Sequence, residues 1–206
     1  MTTTTARTVA PQKALRGAIT VGLTLAAGVL FISVPLLVEY VSGDAFALMG
    51  LAALLLLLAL PGLRRLQHGA DGRVGEWGLR GLVGGLACLL VLIVSGDPLD
   101  AALGGEAEAV AEGAFMVVGA LSAFAMVAGI IAFSVGMARA HVFPARAVWL
   151  FLGGTVVALL TESFEQSLRG PVPTLADVLP PASFIVAGIG LLLLGRAAAR
   201  LVSSST

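Results

Sequence analysis

The sequence predicts an all-α, polytopic transmembrane bundle of six helices, from its composition, its six apolar runs and the alternation of its charges. The chain has 206 residues, of which 58% are hydrophobic and 12% are charged, and its mean hydropathy is +1.03. A soluble domain carries about 25% charged residues, so this chain lacks the polar surface that water requires. We therefore expect one transmembrane domain over 17–200, between a disordered cytoplasmic tail (1–16) and a short cytoplasmic tail (201–206).

Six apolar runs account for the predicted spans. A membrane-spanning helix needs about 20 residues, and each run is close to that length once its flanks are included. The strands of a transmembrane barrel would alternate in polarity over about ten residues, and no run does so. Backbone groups in lipid must bond within their own segment, which favours helices. The spans lie near 17–37, 46–63, 79–95, 114–137, 147–166 and 181–196.

Basic and acidic residues alternate between the connections. Of the 12 basic residues, all but Arg169 fall in the two tails or in the second-to-third and fourth-to-fifth connections. Ten of the 12 acids, from Glu39 to Asp177, fall in or beside the other three connections. Basic residues are retained on the cytoplasmic side, so both termini are predicted to lie inside. The predominance of arginine over lysine, with abundant alanine and glycine, is typical of high-GC bacteria and predicts the bacterial plasma membrane.

A shift of 101 residues lays the first three spans on the last three without a gap. The best local match pairs 27–34 with 128–135, where four of the eight positions are identical. Three spans is an odd number, so two such halves would have opposite orientations, as in the inverted repeats of many transporters. The alternative is chance similarity between evenly spaced apolar segments of similar composition.

A carboxylate cluster is the candidate site. Glu162 and Glu165 share a face at the outer end of the fifth span, where an ionisable group is costly and usually faces a cavity or a partner. With Glu39 and Glu112 as neighbours from other helices, they would hold a proton or cation. The alternative is structural: Glu165 pairs with Arg169 at the i,i+4 spacing, and Glu162 is interfacial.

The segment 62–80 is basic and contains Trp77. Its arginines predict contact with anionic headgroups, and the same residues serve as an ordinary topology signal.

The sequence contains no recognisable catalytic or cofactor motif. Cys88 is the only cysteine, which excludes an internal disulfide and a cysteine-based zinc site. His68 and His141 both fall in the predicted cytoplasmic connections, so no span offers a histidine to haem or di-iron chemistry. Zinc-protease, hydrolase-elbow and P-loop motifs are absent. We expect no cofactor and no metal site, and an enzyme is disfavoured.

The stretch 129–160 consists of an apolar span ending in Gly136-Met-Ala-Arg139, a turn with His141 and Pro144, and a second span. It resembles small six-span membrane proteins of high-GC bacteria, a family of unknown function, in which a short basic turn containing proline joins two apolar helices. The resemblance covers about a third of the chain and implies the six-span fold. It implies no activity, so no functional residue is transferred.

Three functions are compatible with these observations. The leading hypothesis is a non-enzymatic, transporter-like bundle that moves a small molecule or ion, which depends on the repeat and on Glu162. The alternative is an accessory or assembly subunit of a membrane complex, favoured by the short connections and by the lack of a clear polar pathway. The third is a membrane enzyme acting on lipid at the inner face. Membrane lipids are the expected partners, with protein partners or a homo-oligomer as further options. The basic residues form no patch with interleaved aromatics, which argues against nucleic acid.

Overall fold

The computed structural model describes residues 6–37, 45–102, 106–168 and 174–204, and all regular structure in these ranges is α-helical. Side chains are described for 14–36, 48, 50–88, 90–91, 114, 117–161 and 179–204. The described chain forms six helices, as the sequence predicts. They are α1 (Ala6–Leu37), α2 (Ala45–Leu66), α3 (Gly72–Ala102), α4 (Glu106–Ala140), α5 (Ala145–Leu168) and α6 (Thr174–Ser204).

Several helices extend beyond the apolar runs that predicted them. Helix α1 begins at Ala6, so most of the segment 1–16, expected to be a disordered tail, continues the first helix. Helix α3 begins at Gly72 rather than near 79, and α4 begins at Glu106 rather than near 114. The added turns of α1 and α4 are rich in strong helix formers such as Ala, Glu and Arg, whereas those of α3 contain three glycines among seven residues. Hydropathy detects only the apolar part of a helix, and these polar turns continue it.

The helices form a closed ring of antiparallel neighbours. Each helix contacts the next one along the chain, and α1 also packs against α6. The most extensive interfaces are α3–α4, α5–α6, α1–α6 and α1–α2. The start of α1 lies beside the end of α6, because a Cβ on Gly17 would come within 2.7 Å of Val202. The fully buried core includes Leu63, Phe133, Phe151 and Leu194 from four different helices.

Glycines allow the closest helix contacts. A Cβ on Gly78 of α3 would lie 2.7 Å from the backbone of Ala132 in α4, and Gly85 similarly faces the carbonyl oxygen of Ser122 at 2.8 Å. Gly154 of α5 meets the backbone of Ala187 in α6. Small residues at these positions let apolar helices pack through their backbones. Gly153, next to Gly154 in the chain, has nothing within 4 Å of a built Cβ and does not share this role.

Two short turns at one end of the ring join α2 to α3 and α4 to α5. A histidine in the left-handed region follows each helix: His68, at φ 52°, lies two residues after the end of α2, and His141, at φ 53°, lies directly after α4. Non-glycine residues are uncommon there, although histidine is enriched among the exceptions. The two histidines therefore have a local role in ending α2 and α4. Both are exposed.

Three helices are long and apolar enough to cross a membrane within the described ranges. These segments are Ala14–Leu36 in α1, Val117–Ala140 in α4 and Leu179–Ser204 in α6; the shorter segment Ala145–Thr161 of α5 is also apolar. Large apolar side chains cover the outside of the ring, including Phe124 at 75% exposure and Leu121 at 64%. An apolar exterior of this kind suits lipid rather than water.

Candidate functional site

One end of the ring collects the arginines. Because neighbouring helices are antiparallel, the ends of α2, α4 and α6 lie together with the starts of α1, α3 and α5. Among the side chains that the structure describes, only Asp71 and Glu76 are acidic, and both lie at this same end. We call it the basic end. It is defined by Arg16, Arg64, Arg65, Arg73, Arg80, Arg139, Arg146, Arg196 and Arg200.

Both acids of the basic end are paired with arginines. Arg64 at the end of α2 donates from Nε to Asp71 Oδ2 at 3.1 Å, and from a terminal nitrogen to Glu76 Oε2 at 3.4 Å. Arg80 donates to the other oxygen of Glu76. These four side chains have no net formal charge. The two acids that depart from the charge segregation of the sequence thus neutralise two arginines of the α2–α3 connection.

Asp71 is the buried member of this network, with a side chain of 0% relative exposure against 29% for Arg64. It immediately precedes α3, and its carbonyl oxygen accepts the amide of Gly75 at 3.3 Å. A Cβ on Gly75 would lie 2.6 Å from Asp71 Cβ, and one on Gly136 of α4 would lie 2.7 Å from Gly75 Cα. The two glycines thus let α3 and α4 close over the carboxylate. A carboxylate removed from water needs a charged partner, and Arg64 supplies it.

Unpartnered polar atoms lie buried in the same region. Gln67, in the α2–α3 turn, is 1% exposed, and neither atom of its amide has a hydrogen-bond partner within the described chain. Asp71 Oδ1 and the hydroxyl of Ser134 in α4 are also buried without a hydrogen-bond partner within the described chain. A buried polar group without a partner costs about 1–3 kcal/mol. We define Arg64, Gln67, Asp71, Glu76 and Arg80 as the polar cluster, and treat it as the candidate functional site.

The polar cluster can act chemically as a binding or gating element. The Gln67 amide can donate and accept, while Asp71 Oδ1 can only accept while it is ionised. A small polar species that both donates and accepts hydrogen bonds would match these atoms.

The sequence-predicted carboxylate site lies at the opposite end of the ring. Glu162 and Glu165 belong to the last two turns of α5, and Glu112 to the second turn of α4. The side chains of Glu162, Glu165 and Glu112 lie outside the described side chains, and Glu39 and Arg169 lie outside the described residues altogether. Whether these residues form a carboxylate site therefore stays a prediction. The last described side chain before them, Thr161, is buried, and its hydroxyl donates to Val157 O at 2.8 Å.

The polar cluster is not among the sites that the sequence predicts. A signal was available, because Asp71 and Glu76 are the two acids placed among the arginines, seven and twelve residues after Arg64. The segment 62–80, which the sequence predicts to contact headgroups, is a helix–turn–helix in which part of the charge is neutralised internally. Its contact with headgroups stays a prediction. No count of charges predicts the burial of Gln67.

No group of three His, Cys, Asp or Glu residues that could hold a metal ion occurs within the described ranges. Comparisons with known protein families, with curated proteins and with solved structures found no match to this chain. The resemblance to six-span bacterial proteins therefore stays a prediction.

Proposed function

We propose that this chain is a six-span protein of the bacterial plasma membrane that transports a small polar molecule or ion, with the polar cluster on the cytoplasmic side of its path. The observation that carries the proposal is the burial of Gln67 and Asp71 with unpartnered polar atoms in an otherwise apolar bundle. Buried polar groups without partners are costly, and in membrane proteins buried polar residues commonly mark substrate or ion pathways.

Charge distribution supports the proposed orientation. Nine arginines with described side chains lie at the basic end, against two acids, which gives a formal excess of seven positive charges. Ten further acids fall in or beside the connections at the other end of the sequence-predicted spans. Arginine-rich ends remain in the cytoplasm, so the basic end and both termini would face inward.

Helix packing gives partial support to the inverted repeat. An exchange of the two proposed halves would interchange the α1–α6 and α3–α4 pairs, and both of these pairs pack extensively. The same exchange would pair α2–α3 with α5–α6, and of these only α5–α6 is extensive. We therefore propose the repeat only for the arrangement of the α1–α6 and α3–α4 pairs. In transporters with an inverted repeat, the working site lies between the two halves.

A labelling experiment tests the orientation. Cys88 is the only cysteine, so Cys88→Ser provides a cysteine-free background in which Ser204→Cys and Ala107→Cys are introduced one at a time. We expect a membrane-impermeant maleimide to label the cysteine at 107 on intact cells, and the one at 204 only after the membrane is broken. Labelling at 204 from outside would overturn the proposed orientation.

Transport is tested in liposomes that enclose a pH-sensitive dye, with a potassium gradient and valinomycin driving proton entry. We expect proton flux with the wild-type protein, and flux at the rate of protein-free liposomes with Gln67→Leu or Glu162→Gln. Gln67→Leu removes an unpartnered buried amide and should not destabilise the fold, so its loss of flux would reflect function. Arg200→Gln, an exposed change on α6, is the control. Wild-type flux equal to that of empty liposomes contradicts transport of protons by this protein.

The second candidate is an accessory subunit of a membrane complex, favoured by the tight packing of the described helices. Gly78, Gly85 and Gly154 bring helix backbones into direct contact. Such contacts leave no room for a substrate between the helices at these positions. Co-purification of stoichiometric partners from native membrane, together with absent flux, would favour this role over transport.

A further inference from the structure

One face of α3 changes from basic to apolar along its length. Arg73, Trp77 and Arg80 recur at i, i+4 and i+7, so they share a side of the helix, and all three are exposed. Trp77 is 67% exposed, and the guanidinium of Arg80 lies 5.2 Å from its ring centre. Amphipathic rings and arginines of this kind occupy the headgroup layer of a membrane. Gly84 and Cys88 continue the same side toward the middle of the helix.

An open apolar groove begins one turn beyond Arg80. It lies between α3 and α4 and has a volume of about 270 Å³. Its lining includes Gly84, Gly85 and Cys88 from α3, and Leu121, Ser122 and Ala125 from α4. The only hydroxyl in this set, that of Ser122, already donates to Val118 O at 2.7 Å. The groove therefore offers an apolar surface to its occupant.

Positive charge lies between the groove and the basic end of the ring on both helices, about 16–21 Å from the groove along the helix axes. The contact between Gly75 and Gly136 places Arg73 of α3 and Arg139 of α4 at nearly the same level, and both arginines are exposed. Glu76 is the acid of this surface, and its two oxygens are already engaged by Arg64 and Arg80. A negatively charged group would therefore meet unneutralised arginines here.

The spacing of charge and groove matches a phospholipid. Gly84 follows Arg73 by eleven residues, or about 16 Å along the helix axis, and Trp77 follows it by four residues, or about 6 Å. The polar layer on each side of a bilayer is roughly 5–7 Å deep, as the difference between total and hydrocarbon thickness shows. A phosphate beside Arg73 and Arg139 would thus place the start of an acyl chain near Trp77 and a later part of that chain beside Gly84. Charge complementarity selects an anionic lipid over a zwitterionic one.

We propose that the α3–α4 face is a binding site for an anionic phospholipid, whose phosphate contacts Arg73 and Arg139 and whose acyl chain lies in the groove at Gly84. Trp77 marks the interface between these two parts. The proposal rests on the chain being membrane-embedded with its basic end at a membrane surface, but it does not depend on transport.

The test uses the full chain in mild detergent, with native mass spectrometry after addition of phosphatidylglycerol or phosphatidylcholine carrying identical acyl chains. We expect the wild type to retain phosphatidylglycerol in preference to phosphatidylcholine. Arg73→Gln and Arg139→Gln should each weaken phosphatidylglycerol binding by about five-fold, since an arginine near an anionic surface contributes about 1 kcal/mol. Arg196→Gln, an exposed arginine of the basic end on α6, should leave the affinity unchanged.

The groove is tested separately with Gly84→Leu. A Cβ at Gly84 meets nothing within 4 Å, so the larger side chain can occupy the groove without disturbing the helix contact. We expect this variant to lose affinity for both lipids, whereas Gly153→Leu, an equally open position on α5, should retain it.

Three results would overturn the proposal. The first is equal retention of the two lipids by the wild type, and the second is unchanged lipid binding in Gly84→Leu. The third is that Gly84→Leu converts an oligomer to a monomer while lipid retention stays intact, which would identify a second copy of the chain as the occupant of the groove. The same variants are extracted from membranes with alkaline carbonate. If the chain resists extraction but shows no lipid preference, only the lipid-site proposal is contradicted. If the chain is extracted, the proposed membrane topology is contradicted as well.

Discussion

Removal of either partner of the buried Arg64–Asp71 pair should destabilise the protein, but by unequal amounts. In Arg64→Gln the carboxylate of Asp71 keeps its burial and loses its positive partner, while Oδ1 is already unpartnered. In Asp71→Asn the guanidinium keeps Glu76 at 3.4 Å and, at 29% exposure, reaches water. The structure therefore predicts that the arginine substitution is the more damaging one.

The magnitudes follow from the geometry. Opposite charges about 4 Å apart attract by roughly 4 kcal/mol at an effective dielectric constant of about 20. Stranding a buried charge costs about 3–5 kcal/mol, which we expect for Arg64→Gln. Loss of a hydrogen bond to a charged group costs about 1.5–3 kcal/mol, which we expect for Asp71→Asn. The double variant leaves no stranded charge, so it should cost less than the sum, with a coupling energy of about 2–3 kcal/mol.

The free energy of unfolding is measured by titrating dodecyl sulfate into micelles of a mild detergent and following the loss of helical circular dichroism. Arg80→Gln is the control, because its pair with Glu76 is exposed and i,i+4, which contributes only about 0.3–0.5 kcal/mol. Equal costs for Arg64→Gln and Arg80→Gln would refute the reasoning from burial. A double variant whose cost equals the sum of the single costs would show that the two side chains do not interact.

Two further predictions concern helix packing and the turns. Gly78→Ala should destabilise the protein by about 1–3 kcal/mol, because its methyl group meets the backbone of α4. Gly84→Ala meets nothing, so it should cost less than about 0.5 kcal/mol in the same unfolding titration. Similar costs for the two variants would contradict the close α3–α4 contact. His141→Gly should stabilise the protein by up to about 1 kcal/mol, because φ is 53° at this residue and glycine adopts that conformation without strain. His141→Val should destabilise it by about 1–2 kcal/mol, because a branched side chain is strained there. A change of the unfolding free energy in the same direction for both variants would argue against the left-handed turn.

The helical class and the number of helices followed from the sequence. An apolar run in lipid must bond its own backbone groups, and six runs separated by polar connections give six helices. The polar turns that extend α3 and α4 did not follow from hydropathy, which stops where charges begin. The six-span topology, the orientation and the repeat remain predictions.

The predicted carboxylate site at Glu162 and the polar cluster at Asp71 differ in whether the sequence indicates them. Glu162 is predicted as a site residue because a charge beside an apolar run is visible in the sequence. Asp71 did not, because it lies in a polar connection where a solvated side chain is the ordinary expectation. Its burial depends on Gly75 and on Gly136, which lies 65 residues away in the chain.

What the sequence by itself determined is the existence of the helices, their apolar character and the segregation of their charges. Only the tertiary structure decided which glycines touch a neighbouring backbone, which arginines are paired, and which side of α3 borders a groove. The physical reason is that lipid and protein interior are both apolar, so a membrane helix carries little periodicity to distinguish its buried face from its exposed one. Gly78 and Gly84 are the same residue in the same helix, and packing alone makes one a contact and the other an open position.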